Sequence, residues 1–173
     1  MGTTDQLIRV GVIGCGGIAA SHIDAYRAFP ERCRLGLLAD AVEGKAAEKA
    51  AEKDCDVRCF DDTLAALAEP DLDLVSICTP PSTHAELAVA ALDAGKHVLL
   101  EKPMAASLEE CDRMLEAQQR SGKILSVVAQ NRWQTEVVRL REVLASGKAG
   151  DILHAQVDSF WWRGHSYYDL WWR

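Results

Sequence analysis

Short apolar runs alternate with longer amphipathic stretches along most of this chain. The runs are continuous, which is typical of strands that are buried on both faces of a parallel sheet. The longer stretches repeat their apolar positions at the spacing of an α-helix. We predict strands at 8–13, 34–39, 57–60, 74–78, 97–100 and 124–128, and helices at about 17–28, 43–53, 62–68, 83–94, 108–121 and 133–146.

The helices that follow the fourth and fifth strands carry sequence signals at both ends. Each begins with a hydroxyl residue three positions before a glutamate, the capping-box pattern, and each ends at a glycine. The residues are Thr83, Glu86 and Gly95 in one helix, and Ser107, Glu110 and Gly122 in the other. Alternating strands and helices predict parallel strands with right-handed crossovers. The predicted fold class is therefore α/β, a doubly wound parallel sheet of the Rossmann type with its ligand site beyond the carboxyl ends of the strands.

The pattern changes after the sixth strand. A helix is followed by a predicted strand at 151–160, and seven of the eleven aromatic residues lie between Phe160 and Trp172. We therefore predict a first domain at 1–130 and the first elements of a second α/β domain at 131–173. Because an exposed surface this aromatic favours association, we also expect a homo-oligomer.

The formal net charge of −7 and a sequence pI of about 5.2 narrow the range of partners. Nucleic acids and anionic membrane surfaces both need a basic face, so we expect neither as a partner. No apolar run approaches the roughly 18 residues of a membrane span, and the first residues lack the pattern of a secretory signal. Six cysteines show no zinc-binding spacing. We expect free thiols in a reducing cytoplasm and no bound metal.

The first strand runs into G-C-G-G-I-A, which is the pattern G-x-G-x-x-A. Gly14 permits a tight turn, Gly16 lets the backbone approach a pyrophosphate, and Ala19 lets the next helix pack close to the sheet. Gly17 and Ile18 lie at the start of that helix, where free N–H groups and the helix dipole attract phosphate. The turn therefore predicts a dinucleotide site; the alternative is a glycine-rich turn without a ligand.

The second strand ends at Asp40, about 20 residues beyond the turn, where an acidic residue is placed to meet ribose hydroxyls. An acid at this position repels a 2′-phosphate, and the next two residues, Ala41 and Val42, supply no cation to hold one. We therefore predict NAD in preference to NADP. The alternative for Asp40 is a solvated loop acid.

Two further loops follow central strands. The fourth strand leads into a T-P-P-S-T-H segment, in which Thr79, Pro80 and His84 would border the middle of the dinucleotide. The alternative there is a plain turn and helix start with no chemical role for the histidine.

The fifth strand ends in Glu101 and Lys102, and a lysine in this place is suited to hydrogen-bond a hydroxyl or to act as an acid or base. The alternative for Lys102 is a surface ion pair.

Three segments together resemble the Gfo/Idh/MocA oxidoreductases, a family that includes glucose–fructose oxidoreductase and inositol dehydrogenase. They are VGVIGCGGIA, SICTPPSTHAELAVAALDAGKHVLLEKPMA and VVAQNRW, and the resemblance covers residues 8 to about 163 in consistent order. It implies that Lys102 is catalytic or orients the substrate, that Glu101 contacts the nicotinamide side of the cofactor, and that the bond before Pro103 is cis.

The same resemblance implies cofactor contacts beyond the sixth strand. Asn131 and Arg132 match an N-R pair that faces cofactor and substrate at the junction between domains, although a capping or linker role is an alternative. Trp162 and Arg163 match a W-R pair that reaches the cofactor in some members.

The function that the resemblance implies is an NAD(H)-dependent oxidoreductase acting on a CH–OH group of a sugar, inositol or related polyol. Family members are longer, and their second domain binds substrate, mediates oligomers and carries a downstream aspartate and histidine. His165 and Asp169 precede that position in reversed order, so those roles are not assigned to them. We expect the chain to be the cofactor-binding half, with little turnover by itself. The alternative is a non-catalytic nucleotide-binding sensor or interaction module.

Overall fold

A computed structural model describes residues 7–169 of the chain. The strands are β1 (Ile8–Ile13), β2 (Cys33–Ala39), β3 (Arg58–Phe60), β4 (Leu74–Ile77), β5 (His97–Leu100) and β6 (Leu125–Val127). The helices are α1 (Ala19–Arg27), α2 (Lys45–Glu52), α3 (Thr63–Leu67), α4 (His84–Asp93), α5 (Leu108–Ser121) and α6 (Thr135–Ala145). The predicted strands and helices between residues 8 and 146 are thereby confirmed, with ends that differ by at most two residues.

The six strands form one parallel sheet in the order β3-β2-β1-β4-β5-β6. The chain therefore moves outward in one direction from β1 through β2 to β3, and then returns to place β4 on the other side of β1. This order confirms the doubly wound Rossmann-type sheet. It also creates a crevice between the carboxyl ends of β1 and β4, which is where such sheets bind ligands.

Neighbouring residues of each central strand point to opposite faces of the sheet, as the pleat requires. Val12 and Leu38 belong to one apolar cluster with residues of α1 and α2. Ile13 and Leu37 belong to another with residues of α3, α4 and α5. Because both faces are covered by helices, the strands are buried on both sides, which explains their continuous apolar sequence.

The predicted helix ends are confirmed at one helix and partly wrong at the other. The Ser107 hydroxyl accepts from the backbone N–H of Glu110 at 3.2 Å, and α5 ends at Gly122 with a φ of 66°. The capping box at Thr83 is wrong. A short 3₁₀ turn, Pro81–Thr83, precedes α4, and the Thr83 hydroxyl lies 2.8 Å from the Thr79 hydroxyl instead of capping the helix.

The chain divides into two compact units, residues 1–128 and 129–173. In the second unit, the predicted strand at 151–160 is wrong, because that stretch has no regular secondary structure. A strand needs a neighbour to pair its backbone N–H and C=O groups, and none pairs with it within residues 7–169. The predicted aromatic segment continues past residue 169, and its last part lies outside the described residues.

From residue 7 to residue 169, each helix is either too short or too polar to span a bilayer. That the second unit begins a substrate and oligomerisation domain stays a prediction.

Candidate cofactor-binding site

The turn between β1 and α1 needs glycine at its first position for two reasons. Gly14 has a φ of +91°, a conformation that residues with a side chain rarely adopt. A Cβ atom added there would also lie 2.7 Å from the backbone nitrogen of Thr79. The Gly14 N–H donates to the carbonyl of Ala39 at 2.7 Å. The turn is therefore packed between the carboxyl ends of β2 and β4.

The rest of this turn faces open space. A Cβ atom added at Gly16 or Gly17 would meet no protein atom within 4 Å. Ile18 is exposed, and α1 begins at the next residue without a side-chain cap. The first N–H groups of α1 are thus free to bind an anion, and the helix dipole adds partial positive charge. This is the arrangement that a pyrophosphate requires.

Asp40 is not a solvated loop acid; its side chain is buried beside the turn. One carboxylate oxygen accepts from the backbone N–H of Cys15 at 2.7 Å, and the other accepts from the N–H of Val42 at 2.9 Å. The Lys45 ammonium approaches the first oxygen to 3.2 Å. Lys45 is the first residue of α2 and follows Ala41 and Val42 in sequence, so the two residues next to Asp40 do not predict this cation.

The loop after β4 is tied to the loop after β5 by His84. Its ring is fully buried, with Nε2 2.9 Å from the carbonyl oxygen of Thr79 and Nδ1 2.9 Å from the carbonyl oxygen of Pro103. Both partners accept hydrogen bonds, so only a doubly protonated ring donates to both at once. Protein encloses the ring, so its position supports the backbone of Thr79 and Pro103 at the sheet edge.

Glu101 is buried where β5 ends. Its Oε1 lies 3.0 Å from Nε2 of His22, and its Oε2 accepts from the backbone N–H of Lys102 at 3.1 Å. The other ring nitrogen of His22 lies 3.1 Å from the Ser76 hydroxyl, which lies 2.6 Å from the Tyr26 hydroxyl. We call this hydrogen-bonded series of four side chains the polar chain.

His22, Ser76 and Tyr26, which precede Glu101 in the polar chain, are not predicted from the sequence. One signal was present: His22 and Tyr26 are four residues apart and so share a face of α1. Ser76 is a polar residue inside an otherwise apolar strand, β4. The link to Glu101 spans 79 residues of sequence, and no local pattern contains it.

Lys102 is exposed beside the buried Glu101. Its ammonium makes no ion pair within the part of the chain that the structure describes, which removes the surface ion pair offered as an alternative. The peptide bond between Lys102 and Pro103 is cis, as the family resemblance implies.

Two cysteines lie against the site. Cys15 follows Gly14 in the turn, and burial raises the pKa of its thiol to about 12. Burial also raises the pKa of the Cys78 thiol at the end of β4. Both sulfurs therefore stay protonated near neutral pH and act as small apolar groups, since the thiolate is the reactive form.

The predicted contacts in the second unit lie on exposed segments. Asn131 belongs to a 3₁₀ turn and accepts a hydrogen bond from the side chain of Gln134 at 3.2 Å. Trp162 is 87% exposed, and the Arg163 guanidinium lies 4.8 Å from the ring centre of Trp161. A cofactor contact of Asn131, Trp162 and Arg163 stays a prediction.

Known proteins resemble this chain over most of its length. The model of the Gfo/Idh/MocA oxidoreductase family, NAD-binding Rossmann fold, matches residues 8–129. Inositol 2-dehydrogenase 2 of Saccharopolyspora erythraea is 35% identical over 147 residues, which are 84% of this chain and 43% of that protein.

Solved structures show the same relationship. The WlbA dehydrogenase of Bordetella pertussis, in complex with NADH and UDP-GlcNAcA, superimposes with a TM-score of 0.90 at 34% identity over 97% of this chain. Levoglucosan dehydrogenase, in complex with NADH, gives a TM-score of 0.80 at 32% identity over 86% of this chain. This chain spans 51% of the first structure and 41% of the second, about half the length of its relatives.

Proposed function

The chain belongs to the Gfo/Idh/MocA oxidoreductase family, and from that premise we propose that it is the cofactor-binding half of an NAD(H)-dependent dehydrogenase. The proposed substrate is a sugar, inositol or related polyol that is oxidised at a CH–OH carbon. The names of its relatives, among them inositol 2-dehydrogenase and D-glucoside 3-dehydrogenase, support this class.

The observation that carries the proposal is the shared edge of the glycine turn and Lys102. The turn follows β1 and Lys102 follows β5, so in a parallel sheet both lie at the carboxyl ends of the strands. An exposed ammonium without an ion pair is free to donate to a substrate oxygen. When bound, NAD⁺ supplies the hydride acceptor for a substrate carbon at this edge.

The positions of the other residues support the following proposed roles. Gly14 shapes the turn, while the backbone of Gly16, Gly17 and Ile18 receives the pyrophosphate and Asp40 receives the adenosine ribose. The remaining proposed contacts with the cofactor in the first unit are Thr79, Pro80 and Glu101, with the enclosed His84 acting through the backbone that it supports. In the second unit, the proposed contacts are Asn131, Trp162 and Arg163. Lys102 donates a hydrogen bond to the reacting hydroxyl oxygen and stabilises the negative charge that develops as hydride leaves.

A nucleotide-linked sugar acid is the second candidate substrate. Two WlbA dehydrogenases in complex with NADH and UDP-GlcNAcA resemble this chain over 97% and 96% of its length, each with a TM-score of 0.90. The likeness to levoglucosan dehydrogenase covers 86%. This wider likeness is the observation that supports the second candidate.

For the whole protein, we propose a second domain, a homo-oligomeric state and a cytoplasmic location. Residues 131–173 would begin its substrate and oligomerisation domain, since the relatives continue well beyond the matched region. Exposed Phe160, Trp161 and Trp162 support a homo-oligomer. The six free thiols support a reducing, cytoplasmic location.

The test is turnover by the whole protein that carries this chain. NADH formation is measured with NAD⁺ and a panel of inositols, free sugars, glycosides and UDP-linked sugar acids. We expect NADH formation with at least one class, and the class identifies the substrate. Tight NADH binding without turnover on any class would contradict the dehydrogenase and favour a nucleotide-binding sensor.

A further inference from the structure

The polar chain runs between α1 and the sheet and ends on a carboxylate. It begins at Tyr26, passes through Ser76 and His22, and reaches Glu101 where β5 ends. The last three side chains are buried. Four polar groups in series between a helix and a sheet are costly unless each hydrogen bond is made, so the series specifies one arrangement.

An ionised carboxylate at Glu101 fixes the direction of the hydrogen bond at its end of the polar chain. Because Glu101 only accepts, Nε2 of His22 must donate to it. In a neutral ring Nδ1 then accepts, so the Ser76 hydroxyl donates to Nδ1 and the Tyr26 hydroxyl donates to Ser76. Each donor in this arrangement has one acceptor, and Oε2 of Glu101 is held separately by the N–H of Lys102.

The end of this polar chain lies at the far side of the cofactor site. In the sheet order, Asp40 ends β2, the glycine turn ends the adjacent β1, and Glu101 ends β5 beyond β4. A dinucleotide with its adenosine ribose at β2 and its pyrophosphate at β1 would extend its second nucleotide over β4 and β5. Glu101 is therefore at the nicotinamide end.

We infer that His22 is a positioning residue that holds Glu101 as an ionised carboxylate at the nicotinamide end, and that this carboxylate favours oxidised over reduced cofactor. The inference rests on the proposed function. The oxidised nicotinamide ring carries one positive charge, and the reduced ring carries none. A buried negative charge nearby therefore lowers the free energy of the oxidised complex, while the exposed Lys102 ammonium is screened by water.

The test uses two substitutions of His22 that distinguish the hydrogen bond at Nε2 from the hydrogen bond at Nδ1. His22→Gln keeps an N–H donor near the position of Nε2, within reach of Glu101. His22→Asn keeps a polar group near Nδ1, toward Ser76, but removes the donor to the carboxylate. Dissociation constants for NAD⁺ and NADH are measured on the whole protein that carries this chain, and their ratio is compared. A loss of folded protein lowers the active fraction without changing this ratio.

We expect Glu101→Gln and His22→Asn to shift the ratio toward NADH by about fivefold or more, the order expected for one charge several ångströms away in a partly buried site. His22→Gln should stay within about twofold of wild type, because its donor remains. An unchanged ratio in Glu101→Gln or His22→Asn would overturn the inference while leaving the proposed function intact. Failure of the wild type to bind either cofactor would overturn both.

A measurement on the wild type keeps the inference testable if His22→Asn does not fold. ¹⁵N NMR of the labelled imidazole ring, assigned by the signal that His22→Gln removes, reports which ring nitrogen carries hydrogen. We expect the neutral ring with hydrogen on Nε2. Hydrogen on Nδ1, alone or together with Nε2, would contradict the proposed direction of the polar chain.

Discussion

Asp40 and Glu101 are both acidic residues placed where a strand ends, yet the protein holds them by different means. Asp40 is held by backbone N–H groups of Cys15 and Val42, which fix it against the glycine turn. Glu101 is held by the side chain of His22 and the N–H of Lys102. Asp40 therefore depends on the local fold of the turn, whereas Glu101 depends on a side chain from a distant helix.

Lys102→Ala in the whole protein should lower kcat and kcat/KM by about 10²–10³-fold, because the ammonium donates to charge that grows in the transition state. NADH affinity should change little, since the glycine turn and Asp40 are untouched. Steady-state kinetics and an NADH titration measure the two effects. Lys123→Ala is the matched control, because Lys123 precedes β6 at the opposite edge of the sheet. A loss of kcat below about fivefold would remove Lys102 from the catalytic role.

Gly16→Val should nearly abolish NADH binding and leave the fold intact. A side chain there meets no protein atom within 4 Å, so it costs no packing, but it occupies the space through which the pyrophosphate approaches. Fluorescence titration measures affinity, and circular dichroism measures the fold. Gly36→Ala, which adds only ordinary contacts away from the turn, is the control that should bind normally. Normal affinity in a folded Gly16→Val protein would place the phosphate site elsewhere.

Residues could be predicted where a local pattern fixes backbone geometry. Gly14 was found because its turn demands a left-handed φ, and Asp40 because its distance from that turn is constrained. His22, Ser76 and Lys45 were not found, because their roles arise from packing between elements that are distant in sequence. The cis bond before Pro103 came from family resemblance and not from local chemistry.

At the scale of elements, β1 and β4 are joined at their amino-terminal ends by an ion pair. The Asp73 carboxylate accepts from the backbone N–H of Arg9 at 2.8 Å and from its guanidinium at 2.8 and 3.0 Å. The hydrogen bonds from Arg9 lower the pKa of Asp73 to about 2. This pair lies opposite the cofactor edge and fastens the two strands that border the crevice.

The lowered pKa predicts how this pair contributes to stability. Because the folded pKa is below the unfolded value, the contribution is present above about pH 4 and is lost as pH falls toward 2. The stability difference between wild type and Asp73→Asn should therefore shrink over that range. We expect about 1 kcal/mol at neutral pH, since both side chains are more than a third exposed. Urea unfolding at successive pH values measures it.

Arg9→Met provides the control for that measurement. It removes the partner, so combining it with Asp73→Asn should cost less than the sum of the two single changes. A stability difference for Asp73→Asn that does not vary with pH would contradict the assigned pKa.

Elements were predictable where hydrophobic periodicity and burial agree, as in β1, β2 and α5. The predicted strand at 151–160 was wrong. Alternating apolar residues indicate which face of a strand would be buried, but a strand also needs a partner strand, and the local sequence does not show whether one is present. The capping box at Thr83 was wrong because Pro81 favours a separate turn first, so the hydroxyl is drawn to Thr79. The first error concerns a missing partner strand, and the second concerns two near neighbours of Thr83 whose effect the capping pattern does not include.

At the scale of the whole molecule, the second unit exposes large apolar side chains. Leu153 is 95% exposed, and Val157 and Phe160 are each 91% exposed. An apolar surface of this kind favours association, so we expect this chain to self-associate in solution. Light scattering at increasing concentration measures the mass. Phe160→Ser with Trp162→Ser should lower the associated fraction, and a wild-type monomer at high concentration would contradict this prediction.

The account depends most directly on the identity of the cofactor. The Asp40 carboxylate is buried and fixed by two backbone N–H groups, so it cannot swing away from a 2′-phosphate, and Lys45 already lies against it. Fluorescence titration of NADH and NADPH under identical conditions measures the consequence. We predict that NADH binds at least about tenfold more tightly. Equal or tighter binding of NADPH would contradict the proposed site.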